Sequence, residues 1–188
     1  MILQEVRVMS RISVGETMPD FTFDTTERLN QQLSEVVKAA PKTMLLFLRY
    51  YGCPICQFDI HEIQTHFGKI KATGGQLYVV LQSERTSLLE KLKGNPLSFP
   101  IICDPDQLIY KLLSIEPAPS LEKMGDARTM ELIQKVHAAG YQHGEYEGNE
   151  LQLPACFVVD KTGKALHAHY GVSAGDFPTV DEMVELLR

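Results

Sequence analysis

An almost purely apolar run, TMLLFLRY at residues 43–50, constrains the fold of this chain more than any other feature. A run of this length without polar alternation is typical of a strand that neighbouring layers cover on both faces. A helix pattern follows directly, since apolar side chains recur at spacings of four and three residues over Cys56–Ile70. Gly74 and Gly75 then end it.

Strand and helix patterns continue to alternate along the rest of the chain. The predicted strands cover 76–83, 99–106 (with a turn), 154–160 and 164–171, and the predicted helices cover 84–94 (capped by Ser83), 107–115, 127–138 and 179–188. Strands that alternate with helices predict a mainly parallel sheet with right-handed crossovers. The turn at 160–163 joins the last two strands into an antiparallel hairpin. We therefore expect an α/β fold with helices flanking a central sheet.

Two segments lie outside this alternation. Residues 1–41 form an N-terminal extension, with an extra strand or lead-in followed by a helix over 27–39. Residues 116–150 form an insertion that ends in the acidic, glycine-rich loop GYQHGEYEGNE at 140–150. Because the hairpin after this insertion is needed to complete the sheet, we expect residues 1–188 to form a single domain.

Composition narrows the classes of function. A chain of 188 residues should bury roughly 70% of its unfolded surface, so it needs neither disulfides nor a metal to fold. A net charge of −6 argues against nucleic acid or an anionic membrane as the main partner. No apolar run approaches the ~20 residues of a membrane span. Polar residues interrupt the first fifteen positions, which therefore lack the pattern of a signal peptide, and we expect a cytoplasmic protein.

The chemistry of the chain centres on the stretch RYYGCPICQF at 49–58. Pro54 suits the first helical position, which places Cys53 at the helix cap and Cys56 in the buried seam between helix and sheet. Helix N-termini and C-x-x-C motifs lower a cysteine pKa from about 8.5 to roughly 3.5–7.5, which favours the reactive thiolate. We therefore expect Cys53 to be an accessible nucleophile and Cys56 a buried resolving thiol, close enough to form a disulfide.

Structural zinc and an inert pair are the alternatives to redox chemistry. A structural zinc site needs four ligands, but Cys103 and Cys156 stand alone in apolar strands and are expected to be small hydrophobes. His167 and His169 share a strand face and could bind a metal, although no third ligand is evident. No phosphate-binding loop or dinucleotide motif occurs. We expect redox chemistry without a bound cofactor or metal.

Four stretches of the chain together resemble one known family. They are VGETMPDFTF (14–23), LLFLRYYGCPIC (45–56), FPIICDPDQLIYKLL (99–113) and LPACFVVDKTGKALHAHYG (153–171). They resemble peroxiredoxin-like proteins of the alkyl hydroperoxide reductase and thiol-specific antioxidant (AhpC/TSA) family, within the thioredoxin superfamily. The resemblance covers the chain from about Val14 to its C-terminus and implies a thioredoxin-like fold.

This resemblance implies roles for several residues. Cys53 matches the attacking cysteine, Cys56 the resolving one, and Pro154 the cis-proline that lies beside the thiols and helps to dock an extended substrate. Two positions depart from the pattern of typical peroxiredoxins. The resemblance implies a threonine at the position of Tyr50 and an arginine at the position of Pro154. Arg49 and the Tyr50 hydroxyl are candidates to replace those hydrogen-bond donors, and both are expected to bind substrate.

The sequence therefore favours a thiol–disulfide oxidoreductase. Its expected partners are a protein or small-molecule disulfide and an external reductant such as thioredoxin or glutathione, with no nucleic acid and no membrane. A peroxidase acting on hydrogen or organic peroxide is the first alternative, and a non-catalytic thioredoxin-fold binding module is the second. Asp24 and Glu62 are candidates to assist proton transfer. We also expect the 116–150 segment to border the thiols and shape substrate choice.

Overall fold

The computed structural model describes residues 11–188, in which one seven-stranded sheet carries helices on both faces. The strands are β1 (Thr22–Thr25), β2 (Gln31–Gln32), β3 (Lys42–Phe47), β4 (Gln76–Leu81), β5 (Ile101–Cys103), β6 (Ala155–Asp160) and β7 (Ala165–Tyr170). The α-helices are α1 (Leu33–Val36), α2 (Pro54–Lys71), α3 (Arg85–Lys91), α4 (Leu108–Leu112), α5 (Ala127–Ala138) and α6 (Val180–Leu187). Short 3₁₀ helices cover Val37–Ala39 and Glu122–Met124.

The chain's first ten residues, which carry part of the argument against a signal peptide, lie outside the described residues. Within 11–188, no helix is long and apolar enough to cross a membrane.

The sheet has the strand order β2-β1-β5-β4-β3-β6-β7. Its centre, β5-β4-β3, is parallel, whereas β1 pairs antiparallel with both β2 and β5. On the other side, β6 runs antiparallel to β3, and β7 closes the expected C-terminal hairpin with β6. The expected α/β class is confirmed, with a parallel centre between antiparallel edges.

The apolar run of β3 is buried on both faces of the sheet, as the sequence predicts. Met44 and Leu46 pack into one hydrophobic cluster together with α2 and α6. Leu45 and Phe47 point the other way, into a cluster formed with α4 and the N-terminal segment. Because successive strand residues face opposite sides, one continuous apolar stretch serves both cores.

The predicted helix over 27–39 is much shorter in the structure. Asn30 has a left-handed backbone with φ of 51°, and the next two residues pair with β1 as β2. The chain can therefore turn into a helix only at Leu33. The helix predicted over 127–138, by contrast, is confirmed as α5.

Ser83 does not cap the helix that follows it. The cap of α3 is Glu84, without a side-chain hydrogen bond. The Ser83 hydroxyl instead accepts from the Tyr51 amide at 2.9 Å and donates to the Glu147 carboxylate at 2.8 Å. The residue thus links β4 to the loop that carries the cysteines.

Candidate active site

The two cysteines lie where β3 gives way to α2, at the carboxyl end of a central strand. A tight turn connects β3 to α2, in which the Cys53 amide donates to the Tyr50 carbonyl at 3.2 Å. Cys53 is the cap of α2, and its Sγ accepts from the Cys56 amide at 3.4 Å. Pro54 occupies the first helical position, where its missing N–H costs nothing.

Arg49 connects the thiol to the segment that precedes β6. Its Nη2 donates to Cys53 Sγ at 3.0 Å, while Nη1 donates to the Glu150 carbonyl oxygen at 2.7 Å. The guanidinium is also 3.8 Å from the Glu150 carboxylate. Since two nitrogens of one planar fork are engaged, the arginine is held in a fixed orientation towards the sulfur.

These contacts favour the thiolate form of Cys53. The pKa of Cys53 is lowered to about 6, first by a hydrogen bond from the Cys56 side chain and then by the positive charge of Arg49, although burial opposes the shift. The cap position adds the unpaired N–H groups and positive dipole end of α2. At neutral pH this sulfur is therefore mostly an anion, the form that attacks disulfides and peroxides.

Cys56 has the opposite character. It is 3% exposed, and its Sγ accepts a hydrogen bond from the Arg49 amide at 3.4 Å. Burial raises the pKa of Cys56 well above its usual value, and the hydrogen bond to Cys53 and the charge of Cys53 act in the same direction. Neither cysteine forms a disulfide in the structure. A reactive Cys53 thiolate therefore lies beside a Cys56 thiol that keeps its proton.

The expectation that Cys53 is accessible is wrong for this conformation, because its side chain is 0% exposed. The segment 141–150, which we call the strap, lies against the cysteine loop. Its Gly144 amide donates to the Gly52 carbonyl at 2.8 Å, and a side chain at Gly52 would collide with the backbone of Glu145. The 116–150 segment therefore borders the cysteine loop.

Glu147 anchors the strap. Its carboxylate accepts from Ser83 Oγ, Ser87 Oγ and Lys91 Nζ at 2.7–2.8 Å, and from the Gly52 amide at 3.3 Å. Although burial opposes the shift, the side chains of Lys91, Ser83 and Ser87 lower the pKa of Glu147. The acidic loop is thus partly an internal anchor.

The Tyr50 hydroxyl is engaged by the strap in this structure. Tyr50 is fully buried, and its hydroxyl donates to Glu150 Oε1 and lies 3.0 Å from His143 Nε2. The hydroxyl therefore binds the two ends of the strap. The hydrogen bond between Tyr50 and Cys53 is made by the Tyr50 backbone carbonyl.

Pro154 lies beside the pair but does not follow a cis bond. Residues 11–188 contain no cis peptide, so the expected cis-proline is wrong for Leu153–Pro154. Pro154 does line a cavity of about 10 Å³ together with Arg49, Cys56 and Phe177. The cavity is just large enough for one water molecule behind the resolving thiol.

The two carboxylates proposed for proton transfer lie on different elements of the fold. Asp24 is on β1, opposite Cys103, and accepts from the Asn30 amide at 2.7 Å. Glu62 faces a surface cleft beside α2. The sequence patterns do not single out Asp59, which is buried on α2. Its only signal is an acidic residue three positions after Cys56, beside the apolar stripe.

Neither the other cysteines nor the histidine pair forms a metal site. Burial raises the pKa of both Cys103 and Cys156 to about 12, which suits the small hydrophobes expected from the sequence. His169 pairs with Asp176 at 2.9 Å, and its ring stacks at 6.4 Å from that of His167. Across the described part of the chain, no group of three or more histidine, cysteine or acidic residues is arranged to hold a metal ion.

Comparison with known proteins identifies the family. A model of the AhpC/TSA family matches residues 14–168. A prostamide/prostaglandin F synthase of Xenopus tropicalis is 30% identical over 152 residues, which cover 77% of this chain and 73% of that protein. The family match confirms the resemblance read from the sequence.

Solved structures agree on the fold. A peroxiredoxin 6 of Arenicola marina matches with a TM-score of 0.65 at 17% identity, covering 94% of this chain and 72% of that one. A putative thiol:disulfide interchange protein DsbE of Chlorobium tepidum matches with a TM-score of 0.59 at 18% identity, covering 94% and 99%. The fold is thioredoxin-like, and the chain belongs to the AhpC/TSA family of thiol-dependent oxidoreductases and peroxidases.

Proposed function

We propose that this chain is a thiol–disulfide oxidoreductase in which Cys53 attacks and Cys56 resolves. The observation that carries the proposal is the Arg49 guanidinium 3.0 Å from Cys53 Sγ, on a thiol whose pKa is lowered to about 6. A protonated second thiol one helical turn away completes the pair that reversible exchange requires. The Cys53-Pro54-Ile55-Cys56 stretch is thus a redox centre in this proposal.

The reaction has two steps. The Cys53 thiolate attacks one sulfur of a substrate disulfide, forming a mixed disulfide and releasing the other half as a thiolate. Cys56 then loses its proton and attacks Cys53, which releases the second half of the substrate and leaves a Cys53–Cys56 disulfide. An external dithiol or two molecules of a thiol, of the thioredoxin or glutathione type, reduce that disulfide again.

Peroxidase activity is the second candidate, and the burial of Cys53 favours it. A sulfur with no exposed surface admits a small peroxide more readily than a folded protein. The thiolate would attack one peroxide oxygen, release an alcohol or water and become a sulfenic acid, which Cys56 would convert to the same disulfide with loss of water. The names of the relatives describe synthesis of prostamide or prostaglandin F, so lipids of the prostaglandin class belong among the candidate substrates.

Turnover assays distinguish the two candidates. We would compare rates with hydroxyethyl disulfide, hydrogen peroxide and a prostaglandin-class peroxide, each with glutathione or thioredoxin as reductant. Loss of all turnover in Cys53→Ser, with full turnover retained in Cys103→Ser, is expected. A higher second-order rate constant for disulfide than for either peroxide supports exchange, and the reverse order supports the peroxidase.

The proposal also covers the cellular compartment and the role of the 116–150 segment. A pair that must return to the dithiol state suits a reducing compartment such as the cytoplasm. Residues 1–188 would act as a single domain, in which the 116–150 segment decides which substrates reach Cys53. Shortening the strap should change the relative rates of large and small substrates, and equal ratios before and after would count against this role.

A further inference from the structure

Asp59 is a buried carboxyl group that the two-thiol scheme leaves without a task. It is 7% exposed, and its Oδ2 has no hydrogen-bond partner within residues 11–188. It follows Cys56 by three positions on α2, which places the two Cβ atoms about 5–6 Å apart. Burying an unpaired carboxyl group costs stability, so its position calls for an explanation.

Asp59 also borders the surface of the molecule. It lines a cleft of about 580 Å³ between α2, α5 and α6. The other ionisable groups around the cleft are of both signs: Glu62, His66 and Lys69 of α2, Arg128, Glu131 and Lys135 of α5, and Asp181 and Glu182 of α6. Asp59 therefore stands between the buried cysteines and a volume large enough for many water molecules.

The second step of the reaction needs a route by which the proton of Cys56 reaches water. Cys56 must lose a proton to attack, yet it is 3% exposed and Cys53 is 0% exposed. The nearby cation, Arg49, cannot accept a proton because its guanidinium is already protonated. A buried base next to Cys56 would therefore speed this step.

We propose that Asp59 accepts the proton of Cys56 as the Cys53–Cys56 disulfide closes and passes it to water in the cleft. The inference rests on the proposed function of the cysteine pair. In the step, the S–H bond of Cys56 breaks and its electron pair forms the new S–S bond. The bond between Cys53 and the substrate sulfur breaks, the substrate leaves as a thiolate, and a proton from water completes the reduced thiol.

The charges around Asp59 determine at which stage of the reaction it can accept a proton. Burial raises the pKa of Asp59 well above its usual value, and the negative charges of Cys53 and Glu62 add to the shift, while Arg128 opposes it. When Cys53 enters a mixed disulfide, its negative charge disappears, so one cause of the raised pKa is removed. Asp59 then releases its proton more readily and becomes a base when Cys56 needs one.

A single-turnover experiment separates the two chemical steps. Reduced protein is mixed with hydroxyethyl disulfide, quenched with acid at increasing times and weighed by mass spectrometry across a range of pH. The adduct on Cys53 reports the attack, and its replacement by the internal disulfide reports the resolution. Wild type, Asp59→Asn and Asp59→Ala are compared with Glu131→Gln, which removes a carboxylate from the same cleft.

For both Asp59 variants we expect adduct formation close to the wild-type rate but resolution slower by about 10²-fold at neutral pH, the lower end for loss of a general base. Their resolution rate should rise about tenfold per pH unit, because hydroxide must replace the carboxylate. Glu131→Gln should resolve as wild type does. If Asp59→Asn resolves at the wild-type rate with the same pH profile, the inference is wrong while the proposed function stands. If wild type never forms the internal disulfide, both are wrong.

Discussion

Replacing Arg49 by glutamine should raise the pKa of Cys53 by a measurable and bounded amount. The environment lowers the pKa of Cys53 from 9.0 to about 6, and a pKa difference of one corresponds to about 1.4 kcal/mol. An opposite charge at this distance accounts for about 1–3 units of such a shift. Because the hydrogen bond from Cys56 remains, we expect a rise of about 1–2 units. At pH 7 the thiolate fraction would then fall from about 90% to about 10–50%.

The thiolate's ultraviolet absorbance, followed as a function of pH, measures this pKa directly in the reduced protein. The other thiols do not interfere below about pH 9, because burial raises the pKa of both Cys103 and Cys156 to about 12 and that of Cys56 well above its usual value. The titration therefore reports Cys53 alone. No other cysteine has to be replaced.

Two variants serve as controls for this titration. Arg49→Lys keeps the positive charge but loses the planar fork, so the pKa of Cys53 should rise less than in Arg49→Gln. Arg128→Gln removes a different arginine, at the cleft beside α2, and should leave the titration unchanged. If the titration midpoint of Arg49→Gln equals that of wild type, the guanidinium of Arg49 does not lower the pKa of Cys53 and the reasoning is refuted.

Three further outcomes follow from the packing around the site. Gly52→Ala would collide with the Glu145 backbone, so it should displace the strap and speed alkylation of the attacking thiol by a bulky reagent, whereas Gly68→Ala, with open space around it, should not. Tyr110→Phe removes the hydroxyl that bonds the carbonyls at the ends of two central strands, and urea unfolding should show a loss of about 1–3 kcal/mol. Because burial raises the pKa of Asp59, the folded chain binds that proton more tightly than the unfolded chain. The stability of wild type relative to Asp59→Asn should therefore fall as pH rises from 3.8 towards neutrality, as measured by urea unfolding at several pH values.

The sheet and the cysteine helix could be predicted from the sequence because their signals are local. The unbroken apolar run of β3 and the spaced apolar stripe of α2 each report burial of the residues that carry them. The turn residues at 160–163 likewise specify the β6–β7 hairpin. Pro54 marks the start of α2 and so places Cys53 at its cap.

The environment of the thiol could not be predicted in the same way. Glu150 contacts Arg49 from a position 101 residues away, and Glu147 contacts Gly52 from 95 residues away. No periodicity encodes such pairs, and acidic residues in a glycine-rich loop are usually solvated. For this reason the sequence predicts an accessible Cys53, although the residue is fully buried in the structure.

The conformation of Pro154 was missed for a related reason. A proline at the start of a strand is compatible with either isomer, and the sequence alone does not choose between them. The structure places this residue beside Cys56 with a trans bond before it. Its proximity to the pair follows from β6 lying next to β3, which the α/β alternation does not specify.

The central claim is that Cys53 attacks and Cys56 closes the disulfide, and mapping of trapped species tests it most directly. Reduced protein is treated briefly with oxidised glutathione or hydrogen peroxide, digested and analysed by mass spectrometry, with Cys53→Ser and Cys56→Ser alongside. The account predicts an internal Cys53–Cys56 link in wild type, an adduct held at Cys53 in Cys56→Ser, and no modification of the pair in Cys53→Ser. An adduct that forms first on Cys56, or an unreactive pair in wild type, would contradict it.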